Sequence, residues 1–352
     1  MKVLHLAAGN RWTGAAAPAF AEVMALRRAG VDAHYAFVGG YKLEAKIGRL
    51  DFTHPIIAKA QNPFSFAASS GAIASLLDHH GFDIVHAHLT YDHWLARFAT
   101  RGWRMPMART FHSRRVIRSD PFTKWLLART ELICVVNDTL RDAPAIRNRA
   151  PIFTPPPVDT DEFQPNGPDV RTRYEIASDT LLITVIGKLS KDRGFELALE
   201  TFARIQKRMA NTRLMIIGHG EHRAALESFA RDLNVTSSVI WAGYHEDDLA
   251  DHYRASDFLL FTAKGSDEGH RAVIEAMACG TVPITAPLSG IEAIFGELPL
   301  VAGDTSADAL SNLLLSRVAD LDTLRTRVVD RAEEFAFPRA AQRLLTAYSQ
   351  LL

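Results

Sequence analysis

The chain is poor in cysteine, in long apolar runs and in net charge, and each shortage excludes a class of protein. Only Cys134 and Cys279 occur among 352 residues. No disulfide framework can therefore hold the fold, both thiols are expected in the core, and a reducing cytoplasmic setting is expected. No apolar stretch approaches the roughly 18–20 residues of a spanning helix. The apolar opening meets Asn10 and Arg11 too soon for a secretory signal. Lysine plus arginine number 40, as do aspartate plus glutamate, which argues against a protein that coats nucleic acid or a membrane with its whole surface. Repeats and low-complexity tracts are lacking too. What remains is 47% hydrophobic and 23% charged, the balance of a globular protein, with a length that suits two domains better than one core.

The zero charge is a cancellation. Residues 1–160 carry 20 basic and 12 acidic side chains, and the remainder carries 20 and 28. The excess is concentrated at residues 97–149, with 12 basic against 4 acidic groups, among them Arg114, Arg115 and Arg118. A solvated face is the plain explanation. The sharper expectation is an anionic ligand held there, or an anionic lipid surface that makes the protein peripheral on the inner face of the plasma membrane.

Short apolar runs alternate with amphipathic ones along most of the chain. Strands are predicted at residues 3–7, 31–38, 83–88, 108–111 and 132–136, with helices at 16–29 and 73–80. Thr154-Pro155-Pro156-Pro157 breaks the rhythm, because three prolines can join neither a helix nor a central strand. Strand–helix alternation then resumes from residue 181 to 285, and residues 338–352 read as an amphipathic helix. Such alternation predicts an α/β protein of two doubly wound, Rossmann-like domains. The expected boundaries are 1–157, 158–336 and a C-terminal helix at 337–352 that crosses back to the first domain. Ligands of open parallel sheets sit at the carboxyl ends of the strands, so the loops after strands are where chemistry is sought, in a cleft between the two domains.

Two such loops are rich in the right groups. Residues 264–280 contain Gly269 ahead of a helix whose unpaired amides attract anions, and Glu275 lies about one turn in, where a carboxylate can accept ribose hydroxyls. A plain acidic helix start explains this stretch about as well. Between Ile186 and Gly194, Lys188 and Arg193 could converge on a phosphate, although lone loop cations are more often solvated. His86 and His88, with His93 nearby, form the rival feature: a metal pair of a hydrolase, or more simply a polar strand end lining the cleft. Trp12 could stack on an acceptor or cover the domain surface.

Taken in order, these residues resemble glycosyltransferase family 4, retaining nucleotide-sugar transferases of the GT-B fold. The likeness runs through His86-Ala87-His88, Thr110-Phe111-His112, residues 157–163, Ile217-Gly218-His219-Gly220 and, most specifically, the segment from Glu275 to Pro283. Two departures stand out. Lys188 precedes Arg193 where the family has arginine then lysine. The family also places two glutamates eight positions apart, whereas Asp267 stands eight before Glu275 and Glu268 seven; the ungapped spacing favours Asp267.

The resemblance implies a front-face displacement that needs no cofactor and no metal. Asp267 would hold sugar hydroxyls and stabilise positive charge at the anomeric carbon. Lys188, Arg193 and the amides of Gly269, His270 and Arg271 would stabilise the departing diphosphate. Glu275 would bind the ribose, Gly187, Gly218 and Glu268 would line the donor, His112 would reach the donor sugar, and the loop at Gly14 would abut the phosphates. The implied partners are a nucleotide-sugar donor and a glycan, lipid-linked or small-molecule acceptor. A non-catalytic, sugar-nucleotide-binding homologue is the alternative.

Overall fold

The computed structural model describes residues 1–10, 12, 14–263 and 269–352. The chain divides into two compact units, one formed by Met1–Pro157 with Phe335–Leu352, the other by Val158–Glu334.

The first unit runs β1 (Lys2–Ala7), α1 (Ala16–Arg28), β2 (Asp32–Val38), α2 (Lys42–Ile47), β3 (Thr53–Ile57), α3 (Pro63–His80), β4 (Ile84–Ala87), α4 (Thr90–Ala99), β5 (Met107–Phe111), α5 (Pro121–Leu127), β6 (Leu132–Val135) and β7 (Ile152–Phe153). Its sheet has the order β3-β2-β1-β4-β5-β6-β7, and every paired neighbour is parallel. Alternation along β1 feeds two cores. Val3 and Ala7 point to the side covered by α1, while Leu4 and Leu6 pack with Ile73, Leu77 and Leu95 of α3 and α4. Both faces being covered, the central strands are buried along nearly their whole length, the polar His5, His86, Arg109 and Thr110 included.

The second unit continues with β8 (Leu181–Ile186), α6 (Phe195–Arg208), β9 (Thr212–Ile217), α7 (Arg223–Asp232), β10 (Val239–Gly243), α8 (Leu249–Ala255), β11 (Phe258–Phe261), α9 (Arg271–Ala278), β12 (Val282–Thr285), α10 (Ile291–Phe295), α11 (Ala307–Arg317) and α12 (Leu321–Ala332). The sheet order is β10-β9-β8-β11-β12, again parallel. The last helix, α13 (Phe337–Ser349), belongs to the first unit, where Phe337, Leu344 and Tyr348 join the core beside α1.

Several elements escape the periodicity of the sequence. α3 begins ten residues before the predicted helix, with Asn62 accepting from the Ser65 amide and Pro63 at its first position. Its early residues are largely solvent-exposed, Phe64 included at 89%, so no apolar stripe marks them. β3 is an edge strand that contains Pro55, which weakens its strand signature. α2, α4 and α5 are no longer than ten residues, too short for a periodic pattern to stand out.

Candidate active site

In each unit the strand order reverses between two neighbours, and the carboxyl ends of those neighbours form the natural crevice. In the second unit they are β8 and β11. The loop leaving β8 carries Gly187, Lys188, Arg193 and Gly194, and the loop leaving β11 leads to α9. The two loops are tied together: Thr262 Oγ1, just past β11, donates to the carbonyl of Gly194 at 2.8 Å. Gly194 is the residue that permits this approach. Its φ is +72° and a Cβ there would lie 2.4 Å from the Thr262 carbonyl oxygen. Gly218, at the end of β9, is equally constrained, since a Cβ would fall 1.9 Å from the Gly187 carbonyl oxygen. Three strand ends are thus drawn close by backbone that only glycine can supply.

Lys188 is exposed, with its ammonium 3.2 Å from Glu221 Oε2. Arg193 is half-buried in the same loop. At α9 the helix opens from His270, which holds a left-handed conformation at φ 54°. Its Nε2–H donates to the Ser289 carbonyl at 3.0 Å, leaving the buried Nδ1 without a partner among the described residues. The first turn of α9 contains no acidic residue, so within that turn no carboxylate competes with an anion for its amides. Glu275 is 7% exposed, lies 3.4 Å from Arg271 Nε and stands 3.5 Å from the Tyr253 hydroxyl. Asp267 and Glu268 lie outside the described residues.

In the first unit the reversal falls between β1 and β4. Asp92, in the first turn of α4, joins their ends by accepting from the Ala8 amide at 3.0 Å and the Leu89 amide at 2.7 Å. Burial pushes its carboxyl up, while Arg109, 3.9 Å away and itself fully buried, pulls it down.

Beside this staple runs a chain of imidazoles. His112 Nε2 meets His88 Nδ1 at 3.1 Å, and His88 Nε2 meets His5 Nδ1 at 2.9 Å. His5 Nε2 meets the Tyr348 hydroxyl at 3.2 Å, that hydroxyl meets His86 Nδ1 at 2.5 Å, and His86 Nε2 meets Thr110 Oγ1 at 2.7 Å. The register explains the alignment, because His5 and His86 are partners in the β1–β4 ladder. Burial holds His5 and His112 down to about 3 and the others well below their ordinary value, so all are neutral. Glu22 of α1 completes the cluster, its Oε2 lying 3.8 Å from His5 and 3.7 Å from His88 with no hydrogen-bond partner among the described residues.

These positions alter one expectation. His86 and His88 do not line an opening: they are 0% and 1% exposed. The donor atoms of His5, Glu22, His86 and His88 lie within 4.8 Å of one another. Both ring nitrogens of each histidine are, however, already engaged in the chain, so an ion would have to break it. His5, Glu22 and Tyr348 were not predicted as site neighbours. A signal existed, since Glu22 stands on the same helical face as Ala19, Val23 and Leu26, where a charge is out of place.

Of the remaining candidates, Gly14 has φ +59° just ahead of α1, with open space beside it. Trp12 is partly buried against the core and meets Phe20 edge-on at 5.7 Å. Arg114 donates to the Thr139 carbonyl, Arg118 lies 3.8 Å from Asp120, and Arg115 is exposed. Both cysteines are buried, which raises their thiols, Cys279 to about 12.

Comparison with known proteins gives this geometry a family. The sequence profile described as "Glycosyltransferase Family 4" matches residues 13–162, and that described as "Glycosyl transferases group 1" matches residues 168–335. The chain belongs to the family 4 glycosyltransferases. Its two Rossmann-like parallel sheets are those of the GT-B fold. A relative from Mycolicibacterium smegmatis, a GDP-mannose-dependent alpha-(1-6)-phosphatidylinositol monomannoside mannosyltransferase, is 28% identical over 64% of this chain and 67% of its own. The lipopolysaccharide core biosynthesis glycosyltransferase LpsE of Rhizobium meliloti is 27% identical over 52% of each chain. The chain thus spans between half and two thirds of these relatives' lengths. HepE from Anabaena, solved in complex with UDP, shares the fold at 14% identity, with a TM-score of 0.83 over 99% of this chain and 100% of that one.

Proposed function

We propose that this glycosyltransferase moves a sugar from a nucleoside-diphosphate sugar to an acceptor hydroxyl, with retention of anomeric configuration and without a metal ion. The observation that carries the reading is the meeting of the Gly187–Gly194 loop with the loop that opens α9, joined by the Thr262–Gly194 hydrogen bond. A diphosphate at this point would meet the Lys188 ammonium, the Arg193 guanidinium and the amides at the start of α9. Those donors match the charge that develops as the bond between the anomeric carbon and the diphosphate oxygen breaks. The acceptor oxygen bonds to the anomeric carbon on the same face, and its proton leaves on the departing diphosphate. Glu275, aligned by Arg271, would accept the ribose hydroxyls. Asp267, with Glu268 as the alternative, would hold the sugar. The role of His112 rests on the family resemblance.

The relatives named above direct the choice of substrates: GDP-mannose and UDP-sugars as donors, and lipid-linked glycans as acceptors. Donors are ranked by the rise in melting temperature they cause, and transfer is then measured with the best. Lys188→Ala and Arg193→Ala each lower kcat by about 100-fold. Both leave the melting temperature within a degree or so, because loop charges open to solvent, Lys188 largely and Arg193 in part, add little stability. Near-normal rates in both variants would overturn the diphosphate assignment. Donor binding with no turnover in the unmodified protein would transfer the case to a non-catalytic binding homologue.

A further inference from the structure

We propose that the outer face of α4 and α5 is a docking surface for an anionic lipid bilayer. A helix lying on a globular core ordinarily turns its polar side to water. α4 buries Asp92, His93, Leu95, Ala96 and Ala99, and its opposite side presents aromatic rings instead. Trp94 and Phe98, one helical turn apart, meet Phe122 and Trp125 of α5. Trp94 stacks on Trp125 at 5.4 Å, Phe98 lies 6.1 Å from Trp125, and Phe122 lies 6.3 Å from Trp94. Phe98, Phe122 and Trp125 remain 41%, 70% and 43% exposed. Four rings that touch one another, three of them open to solvent, form an apolar patch that a free surface does not require.

The charges around the rings select the occupant. The Arg97 guanidinium stands 4.5 Å over the Trp125 ring, and Arg101, Lys124 and Arg129 are exposed on or beside the same two helices. The one acid within α4, Asp92, is fully buried, and α5 has none. The adjoining acid, Asp120 at the N-cap of α5, accepts from the Phe122 and Thr123 amides and lies 3.8 Å from Arg118. Aromatic rings interleaved with cations in excess are the chemistry of a helix lying in a membrane interface. There the rings sit at headgroup depth and the cations meet lipid phosphates. The basic excess at residues 97–149 thereby acquires an apolar anchor, which the triad Arg114, Arg115 and Arg118 lacks by itself. The segment leaving β5 through His112 runs past that triad directly into α5, so His112 and the proposed surface share one stretch of chain. Among the described residues no helix is long and apolar enough to cross a membrane, and docking on one leaflet needs none. Vesicle binding requires no donor, so this inference and the transfer reading fail separately.

The full chain is sedimented with vesicles of phosphatidylcholine alone and with vesicles in which every third lipid is phosphatidylglycerol. Binding is expected to the anionic vesicles only, and to weaken as salt is raised. The double variant Phe98→Ser, Trp125→Ser should reduce partitioning by about tenfold. Tyr244→Ser, which alters an exposed ring of the second unit, should leave it unchanged. Circular dichroism melts confirm that the exposed substitutions leave the fold intact. Equal binding to neutral vesicles, or full binding by the double variant, overturns the proposal. So does a change in oligomeric state on substitution without vesicle binding, because the patch would then be covered by a second copy of the chain.

Discussion

A neutral imidazole donates from one nitrogen and accepts at the other. Along the chain from His112 through His88, His5 and Tyr348 to His86 and Thr110, the choice of any one tautomer therefore determines the rest. His112 presents either an N–H or a lone pair at Nδ1, and the far end of the chain helps decide which. Tyr348 is the one link supplied by α13. Tyr348→Phe leaves His5 Nε2 and His86 Nδ1 unpaired in the core and should cost about 2 kcal/mol, read by urea unfolding; an unchanged midpoint contradicts the chain. Glu22 has its own signature. Burial pushes its carboxyl up to about 8, against the opposing pull of Arg343. Because the folded-state value lies above the unfolded one, the native protein holds this proton through a range in which the unfolded chain has lost it. Stability therefore falls as pH rises from about 4.5 to about 8. Glu22→Gln removes that slope, so its melting temperature should exceed that of the unmodified protein by a margin that grows across this window and is constant above it. The histidines act in the opposite direction. With folded-state values below the ordinary one, their contribution is present above about pH 6.5 and is lost as pH falls toward 3.

At the scale of elements, the two reversal points are built by different devices. The first unit staples β1 to β4 with one carboxylate, and Asp92→Ala would leave two amides and the buried Arg109 without it. A loss of about 3 kcal/mol or more is expected in denaturant unfolding; a loss below 1 kcal/mol would show the staple to be incidental. The second unit uses bare backbone, and Gly218→Ala, with no room for a Cβ, should fail to accumulate as soluble protein. These devices bear on how much could be read before the structure. Strands such as β1, β8 and β11 announce themselves because both their faces are buried, and alternation alone locates Lys188 and Arg193 in the loop after a strand and Glu275 in the helix that follows another. The glycine contacts were only half legible: a strand-ending glycine is visible in sequence, whereas the carbonyl it must accommodate belongs to a loop some thirty residues away. His5, Glu22 and Tyr348 come together across the whole length of the first unit, a juxtaposition set by sheet register and by the return of α13. The aromatic side of α4 was illegible for a simpler reason. Tryptophan and phenylalanine at helical spacing are read as core, and here they are on the outside.

For the whole molecule, the cancelled net charge separates into two functional expectations. The acidic second half, residues 161–352, contains a cationic loop at its strand ends, where an anionic donor would be drawn in. The basic first half combines its excess with exposed aromatic rings, where an anionic surface would be met. The two proposals would fit together, since a donor drawn from solution and an acceptor held at a lipid surface would call for opposite characters on the two halves. The central claim is sugar transfer with retention from a nucleoside-diphosphate donor, and the most direct measurement is a transfer assay on the purified chain. An α-linked donor and a lipid-linked acceptor are supplied in the presence of a chelator, and the product's anomeric configuration is read by proton NMR. The account predicts nucleoside diphosphate released in step with an α-linked product; a β-linked product, or activity that disappears with the chelator and returns with a divalent ion, would contradict it.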